Sequence, residues 1–370
     1  MRIAIDARKL RDYGIGTYVR NLLRHLSRID QHTEYVLLCR AADCGGIEEL
    51  GENFRAVPES APPYSIREQL RIPMDLRREG VDLFHAPHYV LPPLTPCKSI
   101  VTIHDCIHLR FPQYLPNRLA YAYARSSLWV ATHRSDRVLT VSEASKRDIL
   151  RYFRIPANKI NVIPNAIDER FGEEPSPDEV LQVRERYQLN APFVLYAGNI
   201  KPHKNLERLI EAFHTVRRSG LDTVKLLIIG DEISKYATLR RAVHKYKLHK
   251  HVRFFGFVPD RTLAVLYRLA DVFVFPSLYE GFGLPPLEAM ASGTPVITSN
   301  VSSLPEVVGD AALLIDPYEA DAIAGALRRV LTDAALREDL RRRGLQRVKE
   351  FSWERSVRRV HAIYQEVIAG

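Results

Sequence analysis

Cysteine is scarce in this chain. Four occur in 370 residues, Cys39, Cys44, Cys97 and Cys106, and no CxxC pair is among them. That excludes a disulfide-built scaffold or a zinc ribbon, and the expectation is reduced thiols in a reducing compartment. Long hydrophobic runs are also missing: nothing approaches the roughly 18 apolar residues of a membrane-spanning helix. The N-terminal MRIAIDARKL alternates Ile3 and Ile5 with polar neighbours, as a first strand does and a secretory leader does not. A cytoplasmic protein is expected, with peripheral attachment to the inner face of the membrane left open. The disordered and fibrous classes are set aside by 46% hydrophobic and 26% charged residues.

Other absences narrow the chemistry. HExxH and DxD do not occur, and the HxxH of His85 and His88 encloses Pro87, so helical i,i+4 chelation is not offered. With His104, Asp105 and His108 near in sequence a metal site has to be weighed, but none is expected. No short repeat or low-complexity tract is visible. The net charge is +9, from 53 Lys+Arg against 44 Asp+Glu. Such an excess attracts polyanions, anionic lipid or phosphorylated substrates. Nucleic acid is not expected, because no Lys/Arg block of about 5–8 residues appears. A solvated surface and a membrane-facing one both remain open. Tyr121, Tyr123 and Trp129, set among Arg118, Arg125 and Arg134, suit either an anionic interface or a packed core.

What is present is one rhythm played twice. Apolar β-type runs fall at 3–5, 35–38, 81–84, 100–103, 138–141 and 161–163, then at 193–196, 224–229, 252–255, 272–275, 295–298 and 311–315. Amphipathic patterns intervene, such as Tyr18, Leu22, Leu23 and Leu26, or Leu206, Leu209, Ile210, Phe213 and Val216. Short apolar strands alternating with helices predict parallel sheets covered on both faces. Two series predict an α/β protein of two doubly wound domains. The polar stretch 168–190, with EEPSPDE at its centre, reads as the boundary, with a short helix at 180–187. The expected division is 1–170, 171–352 and a terminal helix at 353–370, the first domain expected on the acceptor side and the second to bind the nucleotide-sugar named below.

In open parallel sheets ligands bind beyond the C-terminal strand ends. After the run at 272–275 comes PSLYEGFGLPP, then LEAMASGTPV. Gly281 and Gly283 allow a ligand close to the backbone. Pro285 or Pro286 suits the first turn of a helix whose N–H groups and dipole attract an anion. Glu280 and Glu288 flank this turn, and carboxylates are good bidentate acceptors for sugar hydroxyls. After the run at 193–196 comes AGNIKPHKNLERLI, a glycine turn into a helix start that carries Lys204.

The string EGFGLPPLE, with AMASGTPVI after it, resembles the E-x7-E motif of the large retaining glycosyltransferase family 4, whose fold is GT-B. The resemblance extends from IDAR at the start, through PNAID at 164–168 and FFGFVPD at 254–260, to FSWERS near the end. It implies two Rossmann-like parallel-sheet domains facing a central cleft, with the terminal helix crossing back to the N-terminal domain. It implies that Glu280 contacts the donor sugar, Glu288 binds the ribose, and the amides of Gly281, Phe282, Gly283 and Leu284 meet the sugar and diphosphate. Gly198 and Lys204 match the phosphate-binding turn. Asn199 departs from the pattern, since many members carry Arg there, so either Lys201 supplies that charge or Lys204 and the helix dipoles act alone. Phe257 and Val258 would lie beside the base. Gly14 and Gly16 match the family's first glycine loop, and His104, in VTIHD, its histidine near the donor sugar.

The implied activity is metal-independent, cofactor-free transfer of a sugar with retained configuration. The donor is a nucleotide-sugar, GDP-mannose favoured by similarity to bacterial mannosyltransferases and UDP-sugars next. The acceptor is a glycan or lipid-linked sugar of cell-surface polysaccharide synthesis. A nucleotide-sugar 2-epimerase shares the fold and would need no acceptor. A hydride-transferring dehydrogenase is disfavoured by the lack of a full GxGxxG after a strand. A non-catalytic sugar-nucleotide-binding subunit would not need His104, Lys204, Glu280 and Glu288 together.

Overall fold

The N-terminal alternation folds as β1 (Arg2–Asp6), followed by β2 (Glu34–Cys39), β3 (Phe54–Pro58), β4 (Leu83–Ala86), β5 (Lys98–Ile103), β6 (Arg137–Thr140) and β7 (Ile160–Val162). The second series gives β8 (Phe193–Ala197), β9 (Lys225–Ile229), β10 (Val252–Phe255), β11 (Val272–Phe275), β12 (Val296–Ser299) and β13 (Leu313–Ile315). This computed structural model describes residues 1–12, 14–62, 64–230 and 236–370, so Tyr13 of the first glycine loop lies outside the described residues.

Among the described residues every strand pairing is parallel. One sheet has the order β3-β2-β1-β4-β5-β6-β7, the other β10-β9-β8-β11-β12-β13. Central strands such as β4, β8 and β11 are buried along their whole length, because helices cover both faces. β3 is the strand the apolar pattern missed. It reads FRAVP, pairs only with β2 at the sheet edge, and leaves Arg55 exposed, so no apolar run marks it.

The chain divides into two compact units, Met1–Asn165 with Ser352–Gly370, and Ala166–Phe351. The helix anticipated at 180–187 begins earlier, at Pro177, because Ser176 and Glu179 form a reciprocal capping box. The terminal helix Trp353–Ala369 belongs to the first unit. It is fastened there by Ser356 Oγ donating to Pro164 O at 2.6 Å and by Tyr364 Oη lying 2.6 Å from His85 Nδ1. His85 Nε2 lies 2.8 Å from Thr102 Oγ1. Burial drives the His85 pKa down to about 3, so this histidine is a neutral core strut.

One expectation fails at the end of β2. Cys39 and Cys44 form a disulfide, their Cα atoms 6.0 Å apart. The tight turn Ala41–Gly46 folds the chain back over the strand end and sets the two thiols together. Cys97 and Cys106 take no part in a disulfide.

In each sheet the chain runs outward through three strands and then returns to the centre to build the other side. The strand order therefore reverses between β1 and β4, and between β8 and β11. Loops leaving such neighbours diverge to opposite faces and open a crevice at the strand ends.

Candidate functional site

At the reversal of the second sheet, β8 ends at Ala197 and the chain turns through Gly198, whose φ is 149°. The neighbouring loop after β9 comes so near that a Cβ on Gly230 would stand 2.1 Å from Gly198 O. Backbone packs on backbone here, which fixes the turn that follows. Tyr196 Oη donates to Asn199 O at 3.1 Å. Asn199 Oδ1 is buried with no partner among the described residues. Lys201 is exposed, whereas Lys204, at the end of the short turn Pro202–Lys204, is buried.

Asn205 takes a left-handed conformation, φ 64°, to launch the helix Leu206–Arg218. Its side-chain amide donates to Pro276 O at 3.1 Å and Pro317 O at 2.6 Å, tying this loop to the one after β11. Leu278 N donates to His203 O at 2.7 Å across the same seam. The two loops are then joined by charge. Lys204 Nζ lies 2.5 Å from Glu280 Oε1 and 5.2 Å from the centre of the Phe275 ring.

Two serines beyond β12 hold the Glu280 backbone. Ser302 Oγ and Ser303 Oγ donate to Glu280 O at 2.6 and 3.0 Å, and Ser303 Oγ also lies 2.7 Å from Phe282 O. Gly283, φ 109°, then starts the helix Leu284–Ala291, and a Cβ on it would meet Leu304 Cδ2 at 2.7 Å. Pro285 and Pro286 occupy the first turn, where no N–H partner is needed. The helix N-terminus, Glu280 and Lys204 thus stand at one strand-end crevice.

Glu288 lies farther along that helix. Tyr267 Oη donates to its Oε2 at 3.1 Å. Burial pushes the carboxyl pKa up to about 7, with the charges of Asp260 and Asp168 adding to the rise and the Tyr267 hydrogen bond opposing it. Arg170 moderates this field, pairing with Asp168 at 2.7 Å and Asp260 at 3.0 Å. PNAID and FFGFVPD, far apart in sequence, therefore meet at Arg170. Within the second motif the neighbours part: Phe257 is 74% exposed while Val258 is buried.

In the first unit Gly14 caps the helix Ile15–Ile29, and Gly16 is buried in its first turn. His104 follows β5, its ring 5.0 Å from that of Tyr18 in an edge-on contact. His104 Nε2 donates to Pro87 O at 3.1 Å, which leaves Nδ1 as the acceptor of a neutral ring. Burial lowers its pKa, against the Pro87 hydrogen bond and Asp105, and favours that neutral form. The other histidines disperse: His85 enters the core and His88 meets Tyr64. Among the described residues no three His, Cys, Asp or Glu side chains gather as metal ligands.

The strand ends pointed to Glu280, Lys204 and the glycine turns, and the structure brings the first two into contact. They gave no sign of Asn205, Ser302, Ser303, Tyr267 or Arg170. Ser302 and Ser303 carried a usable signal, since they too follow a strand. Tyr267 sits within a helix, and only packing reveals that it faces Glu288.

Two family models match, Glycosyltransferase Family 4 over residues 13–171 and Glycosyl transferases group 1 over residues 179–347. O-antigen chain mannosyltransferase B of Escherichia coli is 37% identical over 74% of this chain and 71% of its own length. The serotype-specific mannosyltransferase WbdA of Escherichia coli is 30% identical over 70% of this chain, which spans about a third (32%) of that relative. Among solved structures, sucrose-phosphate synthase from Thermosynechococcus elongatus superposes with a TM-score of 0.81 at 24% identity, covering 100% of this chain and 99% of that one. Matched along both halves, and carrying two doubly wound parallel sheets, the chain belongs to glycosyltransferase family 4 and has the GT-B fold.

Proposed function

We propose that this glycosyltransferase transfers mannose from GDP-mannose, with retained configuration and without a metal, to a glycan or lipid-linked acceptor of cell-surface polysaccharide synthesis. The observation that carries the reading is the Lys204–Glu280 pair beside a helix N-terminus at a sheet reversal. Mannose is favoured because the relative with 37% identity is named an O-antigen chain mannosyltransferase.

In this proposal the helix at Leu284 and the ammonium of Lys204 take the diphosphate, whose negative charge grows as the glycosidic bond breaks. Glu280 holds Lys204 until the donor binds, and sharing the lysine with phosphate frees the carboxylate for a sugar hydroxyl. Glu288 accepts from the ribose hydroxyls, and Phe257 offers its exposed face to the base. His104, neutral with a free acceptor at Nδ1, takes a hydroxyl of the transferring sugar. The departing diphosphate helps remove the acceptor's proton on the same face, so the configuration is kept. Lys204 and the helix dipole do the neutralising that a divalent ion does elsewhere, and exposed Lys201 is not needed for it.

A membrane-borne acceptor fits one surface of the first unit. On the helix Ile66–Glu79, Ile66, Leu70 and Met74 recur every fourth residue and are 63–83% exposed, with exposed Arg67, Arg71, Arg77 and Arg78 around them. An apolar stripe bordered by arginines suits an anionic bilayer surface. The helix Arg118–Arg134 is the weaker candidate, since Tyr121 and Tyr123 are partly buried and Trp129 stacks on His133 at 4.5 Å. No described helix is long and apolar enough to cross a membrane. Flotation with anionic liposomes should carry the protein at low salt and lose it for Leu70→Glu; equal flotation of both proteins removes this helix from the proposal.

Glu288 generates a pH prediction. Its folded pKa of about 7 exceeds the ordinary carboxylate value of 4.5, so the folded protein holds a proton there that the unfolded chain has lost. This group therefore costs stability as pH rises through that window, and the cost is constant above it. The melting temperature of Glu288→Gln relative to wild type should climb between pH 5 and pH 8 and then level off. A pH-independent difference contradicts a buried, hard-to-ionise Glu288.

Transfer itself is tested by incubating the protein with radiolabelled GDP-mannose or UDP-glucose, an acceptor panel and excess EDTA. Mannosylated product with the α-configuration of the donor, in undiminished yield, is expected. Collapse of the rate with EDTA and recovery with Mg²⁺ or Mn²⁺ contradicts the role given to Lys204, and transfer only from the UDP-sugar contradicts the donor.

A further inference from the structure

Four polar side chains stand in a row through the core of the first unit. Tyr364 Oη lies 2.6 Å from His85 Nδ1, His85 Nε2 lies 2.8 Å from Thr102 Oγ1, and Thr102 Oγ1 lies 3.2 Å from Tyr18 Oη. They come from four elements: the terminal helix, β4, β5 and the helix Ile15–Ile29. None is more than 3% exposed. Buried polar groups of this kind add little net stability, since apolar side chains of the same shape can replace both partners of a bond almost neutrally. Stability alone therefore does not explain the row.

The row leads to His104. β4 and β5 are neighbours, with Ala86 opposite Val101. Pro87 follows the first strand and His104 the second, and His104 Nε2 donates to Pro87 O at 3.1 Å. His85 stands two residues before Pro87, and Thr102 two residues before His104. The His85–Thr102 bond thus ties the two strands together just short of the pair that holds the ring. Tyr18, at the end of the row, sets its own ring edge-on to His104, the centroids 5.0 Å apart and the planes at 81°. Two routes, strand ends and ring edge, carry the row's geometry to one imidazole. Its backbone is held separately, by Ser145 Oγ donating to His104 O at 2.9 Å.

The row has a single protonation state at neutral pH. Burial drives His85 down to about 3 and raises the hydroxyls of Tyr18 and Tyr364. A neutral imidazole offers one donor and one acceptor, so turning His85 breaks its bonds on both sides. The terminal helix supplies the last partner that stops it turning.

We infer that Tyr364 is a positioning residue: from the terminal helix, through His85, Thr102 and Tyr18, it fixes the orientation of the His104 ring and so the direction of its acceptor Nδ1. This rests on the proposed reaction for the work done by His104, while the placing of the ring does not. An acceptor aimed at one sugar hydroxyl loses much of its effect when the ring can swing. Tyr364 itself takes no part in the bond changes.

The test uses the whole protein with ¹³C-labelled histidine, the His104 ring signal being assigned by its absence in His104→Ala. Tyr364→Phe keeps the ring and removes only the hydroxyl. It should shift the His104 signal and lower kcat for transfer from GDP-mannose roughly 2- to 12-fold, the worth of one hydrogen bond, with GDP affinity by calorimetry unchanged. Thr102→Val should repeat both effects, and Thr102→Ser, which keeps the hydroxyl, should restore most of the loss. In a His104→Ala background Tyr364→Phe should alter kcat about 2-fold or less, because the group it acts through is gone. Melting curves establish that the variants are folded at the assay temperature. An unmoved His104 signal, an unchanged kcat in Tyr364→Phe where His104→Ala is slow, or the same loss with and without His104 overturns the inference. A moved signal in a protein whose transfer His104→Ala does not slow upholds the positioning and overturns the work given to His104 in the proposed reaction.

Discussion

The ion pair between Lys204 and Glu280 organises the second unit's strand-end surface. Two charges nearly withdrawn from water cost several kcal/mol each, and only close, well-oriented contact offsets that. The surrounding structure supplies the orientation. Asn205 ties the loop after β8 to the loop after β11, while Ser302 and Ser303 fix the Glu280 backbone from beyond β12. A site held by such a pair is ready for an anion. In the proposed reaction a diphosphate entering beside the helix at Leu284 would meet a lysine already in place and compete with one carboxylate, not with bulk water.

The first unit solves the same geometric problem with different chemistry. Its reversal point is braced by Arg8 with Asp6 and Glu68 rather than by a lysine–glutamate pair, and it carries aromatic rings where the second unit carries a glycine turn. The fold dictates only that loops diverge there. The residues that follow the strands differ: Gly198 and Lys204 in one crevice, Lys9, His88 and Tyr89 in the other.

Much of the fold, and of which residues stand at the second unit's strand-end crevice, is legible in the sequence itself. Fully apolar runs such as VFVF at 272–275 announce buried parallel strands, and the residues just after them announce the site. β3 is not legible, because an edge strand with an exposed Arg55 and a terminal Pro58 lacks the pattern of a buried one. Nor is the Cys39–Cys44 bridge, which depends on a turn folding back over β2. Tyr267 beneath Glu288, and Arg170 between Asp168 and Asp260, are tertiary coincidences of distant segments. Composition and periodicity carry no information about such meetings.

The two acids of EGFGLPPLE do different work in the proposed reaction, and nucleoside diphosphate binding separates them. GDP contains the ribose but no sugar to transfer. At pH 8, calorimetry should show Glu288→Gln weakening GDP roughly 10- to 150-fold, the loss of charge-assisted hydrogen bonds to the ribose worth about 1.5–3 kcal/mol. Glu280→Gln should bind GDP as well as wild type or better, since Lys204 is released to the phosphates. Equal losses in both variants, or a loss confined to Glu280→Gln, would contradict the assignment.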